Sequence, residues 1–286
     1  MTSWIVKLAR RVLLLAALTV AGGLLCATMV RFAPGFGVDE RELDPGLSQA
    51  SREAIRSEHQ LGKGLLAYYG GYLYGLCHGD FGESTFLQQP VGALLKERAP
   101  LTLRSVLLGL LTAWLGATAL ALLAVRFPHW ALDSAATAFT GLLIALPAAV
   151  VALLCVFLRL PVFAGVALVT LPKLFRYQYN ILATASAQPF VLAARARGVS
   201  PTRALFRHVV PASWHPLAAL LGVSASLAFG AAIPLEALSD SPGVGQLAWQ
   251  AALNRDLPLL TSITLVVTLV TIGVNSFASA AQREQA

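Results

Sequence analysis

Charge is in short supply in this chain of 286 residues: Asp, Glu, Lys and Arg together make up 12% of it, against about 25% in ordinary soluble domains. So thin a polar supply cannot clothe a water-soluble domain of this length, and that class is excluded. Cysteine is rarer still. The three residues, Cys26, Cys77 and Cys155, are scattered, and two lie in apolar runs, so neither a disulfide framework nor a zinc spacing can be built from them. No G-x-x-x-x-G-K-[ST] stretch is present, so nothing in the chain can cradle nucleotide phosphates. There is no internal repeat and no low-complexity tract. The first apolar run is long and has no convincing small-residue cleavage site, so a cleavable leader is not expected.

What remains is apolar: 57% of the residues are hydrophobic, and glycine and alanine are plentiful, as in membrane helices that pack closely. In such a chain a net charge of +7 reports cytoplasmic loops rather than nucleic acid, and no nucleic-acid partner is expected. Crossing the hydrocarbon takes roughly 17–25 helical residues, and five nearly uncharged runs meet that length: 12–30, 105–125, 134–158 with Pro147 as a kink, 217–235 and 259–281; a shorter one, 160–175, begins another, the fourth in chain order. Lys173 and Arg176 cut into the far end of the fourth. The expected fold is therefore an all-α polytopic membrane protein with six transmembrane helices.

Orientation follows from where Lys and Arg gather. Lys7, Arg10 and Arg11 precede the first run without an acid, which puts the N-terminus in the cytoplasm; six crossings return the C-terminus to the same side. The stretch from Lys173 to His215 carries six cations and no acid and falls inside, whereas Glu236 to Pro258 has three acids and one arginine and suits the outside. The expected organisation is 1–30 as cytoplasmic end and first span, 31–100 as a small external subdomain, and 101–286 as the core. Within 31–100, Ser48 or Ser51 is placed to start a helix that Gly62 ends, and Tyr68, Tyr69, Tyr72 and Tyr74 suit a membrane–water interface.

The basic stretch "PFVLAARARGVSPTRALFRHVVPASWHP" is the polar anomaly. Pro189 fits the first turn of a short helix that Gly198 ends in a left-handed conformation. Ser200 caps a second, with Pro201 at its first position and Pro211 as its stop. Arg203 and Arg207, four apart, share a face, and Phe206, Val209 and Val210 supply apolar contact on another side. A helix so built is suited to docking, although a loop that merely follows the positive-inside tendency would carry the same charge.

These residues carry a resemblance. "LAARARGVSPTRALFRHVVP" resembles the cytoplasmic loop signature of permease subunits of binding-protein-dependent ABC importers, with Leu192-Ala193-Ala194 for its Glu-Ala-Ala, Gly198 for its glycine and His208-Val209-Val210-Pro211 for its ending. The Ala-Arg-Ala-Arg-Gly form is similar to the dipeptide, oligopeptide and nickel branch. "RFAPG", "DPGLS", "HGDFGES", "PVGALLKERAPLTL", "SPGVGQLAWQAALNRDLP" and Asn275 follow in that branch's order. The resemblance implies a type I importer permease in a bacterial inner membrane, with a coupling loop at 186–215 that fits a groove on a cytoplasmic ATPase. It carries that role onto Ala194, Arg195, Gly198, Arg203, Phe206, Arg207, His208 and Pro211. It also implies a second permease chain, an extracytoplasmic solute-binding protein, and ATP with magnesium held by the ATPase rather than by this chain. Peptides are the branch's usual solutes, with nickel complexes, glutathione-like molecules and oligosaccharides also within its range. The sequence departs from the branch's pattern in three respects: Leu158 reaches Pro161 at once, where a long external connection is usual; Leu192 stands at the signature's glutamate; and the tail lacks the usual acidic Asp-Pro-Arg ending.

Other readings compete at several positions. A secondary transporter or channel needing no ATPase would hold ionisable groups near mid-membrane and often an inverted repeat; five of the six runs have clean centres. His208 and His215 are seven apart with no third ligand near, so no metal is expected there, and no catalytic or cofactor-binding residue is expected either. Asp80 and Glu83 read as solvated or capping carboxylates. Asp80-Phe81-Gly82 matches a kinase triplet with no kinase around it. Lys173 and Arg176 are either anchors that snorkel to the cytoplasmic interface or groups lining a path.

Overall fold

The computed structural model describes residues 2–32, 65–127 and 130–283, and among these it is helical, with one isolated bridge between Glu83 and Pro90. In chain order the elements are α1 (Thr2–Arg31), α2 (Leu65–Cys77), α3 (Val91–Arg126), α4 (Trp130–Ala145), α5 (Ala148–Phe157), α6 (Val162–Ser186), α7 (Pro189–Ala196), α8 (Pro201–Ala204), a π-helical turn (Leu205–Val209), α9 (Val210–Ala212), α10 (Trp214–Leu238), α11 (Val244–Leu253) and α12 (Leu257–Arg283). The helix expected between Ser48 and Gly62 lies outside the described residues.

Among the described residues three helices are long and apolar enough to cross a bilayer, over Val91–Arg126, Trp214–Leu238 and Leu257–Ser276. The first two contain the second and fifth expected runs, and the third covers most of the sixth. The third run is not one helix. It breaks at Leu146 and Pro147 into α4 and α5, whose segments Thr137–Ala145 and Ala148–Phe157 meet at 94°. Proline lacks the N–H that would continue the ladder and forces the residue before it out of helical geometry, so a full bend stands where a kink was expected. The first run gives a shorter apolar stretch, Ala16–Met29, inside α1. The fourth run begins α6, which continues through Lys173 and Arg176 to Ser186 and is not among the described helices apolar enough to cross by composition.

The chain divides into two compact units. The first comprises residues 1–99 and 247–270. Here α2 packs on α1, and the Tyr69 hydroxyl donates to the Val20 carbonyl at 2.6 Å while Tyr72 shares a 2.6 Å hydrogen bond with Ser262. Gly23 makes this packing possible, because a Cβ there would overlap Leu265 of α12 at 2.6 Å and the Tyr69 hydroxyl. Tyr69 and Tyr72 thus belong to a packed helix cluster with Ala27 and Leu257, while Tyr74 is exposed.

The second unit comprises residues 100–246 and 271–286. Its centre is α6, which packs against α10, α4 and α5. The seam between α3 and α6 is lined by Ala113, Ala117, Ala121 and Ala124, spaced to share one face, with Leu174, Phe175 and Leu182 opposite. Gly109 lets the two backbones close, since a Cβ there would lie 2.8 Å from the Phe163 carbonyl. Where oil surrounds the bundle, such close van der Waals contact and a few polar bonds hold helices together. The Trp114 indole donates to Ser224 at 2.9 Å and Thr118 donates to Gln178 at 3.1 Å, tying α3 to α10 and α6.

Candidate functional site

The basic stretch folds as two short helices around a left-handed glycine. Helix α7 starts with Pro189 at its first turn and ends at Ala196; Gly198 then takes φ +84°. Its N–H donates to the Arg195 carbonyl at 2.9 Å, and the Val199 N–H donates to the Ala194 carbonyl at 3.2 Å. That pair of bonds is a Schellman closure, which satisfies carbonyls left open at the helix end. Two residues on, the Ser200 hydroxyl accepts from the Arg203 N–H at 3.4 Å, and Pro201 holds the first helical position. Start, stop and cap are as the sequence implies.

The second helix does not stop at Pro211. It passes through a π-helical turn at Leu205–Val209 and continues to Ala212. In an α-helix the ring of Pro211 would press on the carbonyl four residues back, and its missing N–H would leave that carbonyl bare. The π-turn inserts one residue of slack: the Val210 N–H reaches the Leu205 carbonyl, and regular spacing resumes with the Ser213 N–H on the Val209 carbonyl at 3.0 Å.

This path sorts the side chains. Ala204, Leu205 and Val209 turn inward and are buried, the last two joining Val191 of α7 in the core around α6. Outward, Ser200, Thr202, Arg203, Phe206 and Arg207 line an open groove of about 500 Å³. Phe206, 59% exposed, therefore stands beside the arginines and not on the apolar side with Val209. Of the other candidates, Ala194 is buried beneath the turn, Arg195 and Pro211 are exposed, and His208 is half-buried. None of these four lines the groove. Arg126, at the end of α3, donates to Thr202 at 2.9 Å and props the segment from the side. A cationic groove with an aromatic ring, on a helix anchored from below by Leu205 and Val209, can receive carboxylates or carbonyls together with an apolar side chain.

Residues 105–284, more than half of the chain, match the family described as "Binding-protein-dependent transport system inner membrane component". The chain belongs to this family. As an inner-membrane permease component it is 24% identical to the oligopeptide transport system permease protein AppB of Bacillus subtilis, over 92% of this chain and 93% of the relative. It is 28% identical to the oligopeptide transport system permease protein OppB of Salmonella typhimurium over 84% of each. The nickel import system permease protein NikB of Staphylococcus aureus is 24% identical over 87% of this chain and 81% of its own length.

Two buried carboxylates of this permease were not legible beforehand. Glu236, counted above as a loop acid, is 1% exposed at the end of α10. Its Oε2 accepts from the Thr102 hydroxyl and the Gly245 N–H, both at 2.9 Å, and Thr102 in turn accepts the Val244 N–H at 2.8 Å. The glycines of "SPGVG" serve this closure: a Cβ on Gly243 would collide with the Glu236 carboxylate, and one on Gly245 would lie 2.8 Å from the Ile233 Cα. In the other unit Asp256 is fully buried. It accepts from Ser84 at 2.5 Å and from the Phe86 N–H at 3.2 Å, and caps α12 through the Leu259 N–H at 3.1 Å. Asp80 is a turn carboxylate, exposed and accepting from the Gly82 N–H at 2.8 Å.

Proposed function

We propose that this chain is a permease subunit of an ATP-driven importer for peptides or similar small solutes, and that its 186–215 segment is the lever on which an ATPase acts. One observation carries the reading. Arg203, Phe206 and Arg207 stand exposed along one groove, while Leu205 and Val209 of the same turn are rooted in the core around α6. A push on that surface is transmitted to a long helix rather than absorbed by a loop. Gly198 sets the angle between the two short helices, Ala194 is buried at the end of the first, Pro211 goes with the π-turn of the second, and the exposed Arg195 and the half-buried His208 extend the basic surface beyond the groove.

In this reading ATP and magnesium belong to the partner ATPase. A second permease chain completes the path, and an extracytoplasmic binding protein delivers the solute. Six crossings of the bacterial inner membrane leave both termini in the cytoplasm and residues 31–100 outside. The names of the oligopeptide and nickel relatives support a solute of small-peptide size or a metal complex. The test is capture: a photo-crosslinker at Arg203 or Phe206, in native membranes, should yield an adduct with a nucleotide-binding subunit. Transport by a purified sample that contains only this chain would instead make it an ATPase-independent carrier.

A further inference from the structure

Helix α6 carries a polar stripe that its own chain leaves open. Along α6 and into the turn that follows, Lys173, Arg176 or Tyr177, Asn180, Thr184 and Gln188 fall three or four residues apart on one face. Arg176, Tyr177, Asn180, Thr184 and Gln188 are exposed and Lys173 is half-buried, whereas Leu174, Phe175, Gln178 and Leu182 on the other side are fully or nearly fully buried. The lower end of the stripe opens into a groove of about 510 Å³, lined by Asn180, Thr184 and Gln188 with Phe190, Ser213 and Pro216. Lys173 and Arg176 are the only charges between Val162 and Gln188, and among the described residues neither has an acidic partner.

The composition of α6 bears on the choice between anchor and path. Lys173 lies eleven residues after Val162 and thirteen before Ser186, the middle of a 25-residue helix. Among the described residues α6 is not one of the helices apolar enough to cross a bilayer by composition, as fits a helix that turns one face to water. Cations are costly against lipid tails.

We propose that this face of α6 is one wall of the aqueous solute path, and that Lys173 and Arg176 make the path select for solutes presenting a carboxylate over free cations. The proposal rests on the importer reading and names its solute class: an anionic end, such as a peptide C-terminus, is welcomed, and a bare divalent metal is repelled.

The assembled importer in inside-out membrane vesicles provides the test. With Cys26, Cys77 and Cys155 changed to Ser, single cysteines are placed as Asn180→Cys, Thr184→Cys and, on an exposed apolar face, Leu115→Cys. Each is titrated with an anionic sulfonatoethyl and a cationic trimethylammonioethyl methanethiosulfonate, with rates normalised to a free thiol in solution. Expected is reaction at 180 and 184 well above 115, with the anionic reagent favoured roughly tenfold. Adding Lys173→Gln and Arg176→Gln should bring that ratio close to one, and Arg176→Gln alone should lower it. No labelling above Leu115→Cys means the stripe is covered by protein or lipid, and overturns the proposal. So does equal reaction with both reagents, or a preference for the cationic one, as an anionic lipid surface would give. The Phe206 crosslink reads ATPase docking separately: labelling lost with the crosslink intact defeats only the path, and the reverse defeats only the lever.

Discussion

At Gly198 the demand on the residue is purely a backbone one. Its φ of +84° is left-handed, and a Cβ there would meet nothing within 4 Å. A β-branched side chain costs on the order of 1–2 kcal/mol or more in that region, and Asn much less. Gly198→Val is therefore expected to leave the protein in the membrane but to separate ATP hydrolysis from uptake in proteoliposomes, while Gly198→Asn retains coupling. Equal uptake by both variants would remove Gly198 from the lever. Glu236 poses the opposite case, in which the side chain is everything. Glu236→Ala strands the Gly245 N–H and the Thr102 hydroxyl in a dry site, at about 1–3 kcal/mol for each buried donor. Glu236→Gln keeps one carbonyl oxygen where Oε2 accepts both bonds. In detergent, the Ala variant should aggregate at clearly lower temperature than the Gln variant; matching profiles would mean the latch carries no stability. Gly198 was readable because its partners are its own neighbours. Glu236 was not, because Thr102 is 134 positions away in sequence. A carboxylate after an apolar run looks solvated until its distant donors are known.

Among elements, the docking helix shows where local rules stop. Ser200, Pro201 and Gly198 announce its ends through caps, and these hold. Pro211 announces a stop, and the π-turn overrides it because the burial of Leu205 and Val209 rewards continuing. Pro211→Ala removes the reason for the extra residue. The turn is then expected to tighten to regular α-helix and to rotate the Arg203–Arg207 surface relative to α10. Less ATPase should co-purify with that variant at unchanged membrane abundance; undiminished capture would show that the π-turn does not set the angle. Helix α6 teaches a related point. Lys173 and Arg176 end the hydropathy run at Phe175, but helix propensity and the packing of Leu174, Phe175 and Leu182 carry the element on to Ser186. The charges interrupt the apolar run without ending the helix.

For the molecule as a whole, the sequence-level inventory of cations and acids set the expected sidedness, and the structure qualifies one part of it. Of the three acids assigned to the outer loop, Glu236 and Asp256 are buried and only Asp240 is exposed. Of the cations assigned to the inner side, Arg195, Arg197, Arg203 and Arg207 are all exposed. A reporter fused after Asp80 is expected to be active only outside the cytoplasm, and one after Ser200 only inside. A reversed pair of signals would invert the whole topology.

The right-angle bend at Leu146 and Pro147 also bears on how the chain is made. Ten residues of α5 rise about 15 Å, roughly half the thickness of a bilayer's oily layer, so this piece is a poor substrate for insertion by hydropathy alone. It gains a seat only when α6 and α10 emerge from the ribosome and fold over it, which makes biogenesis here depend on segments synthesised later.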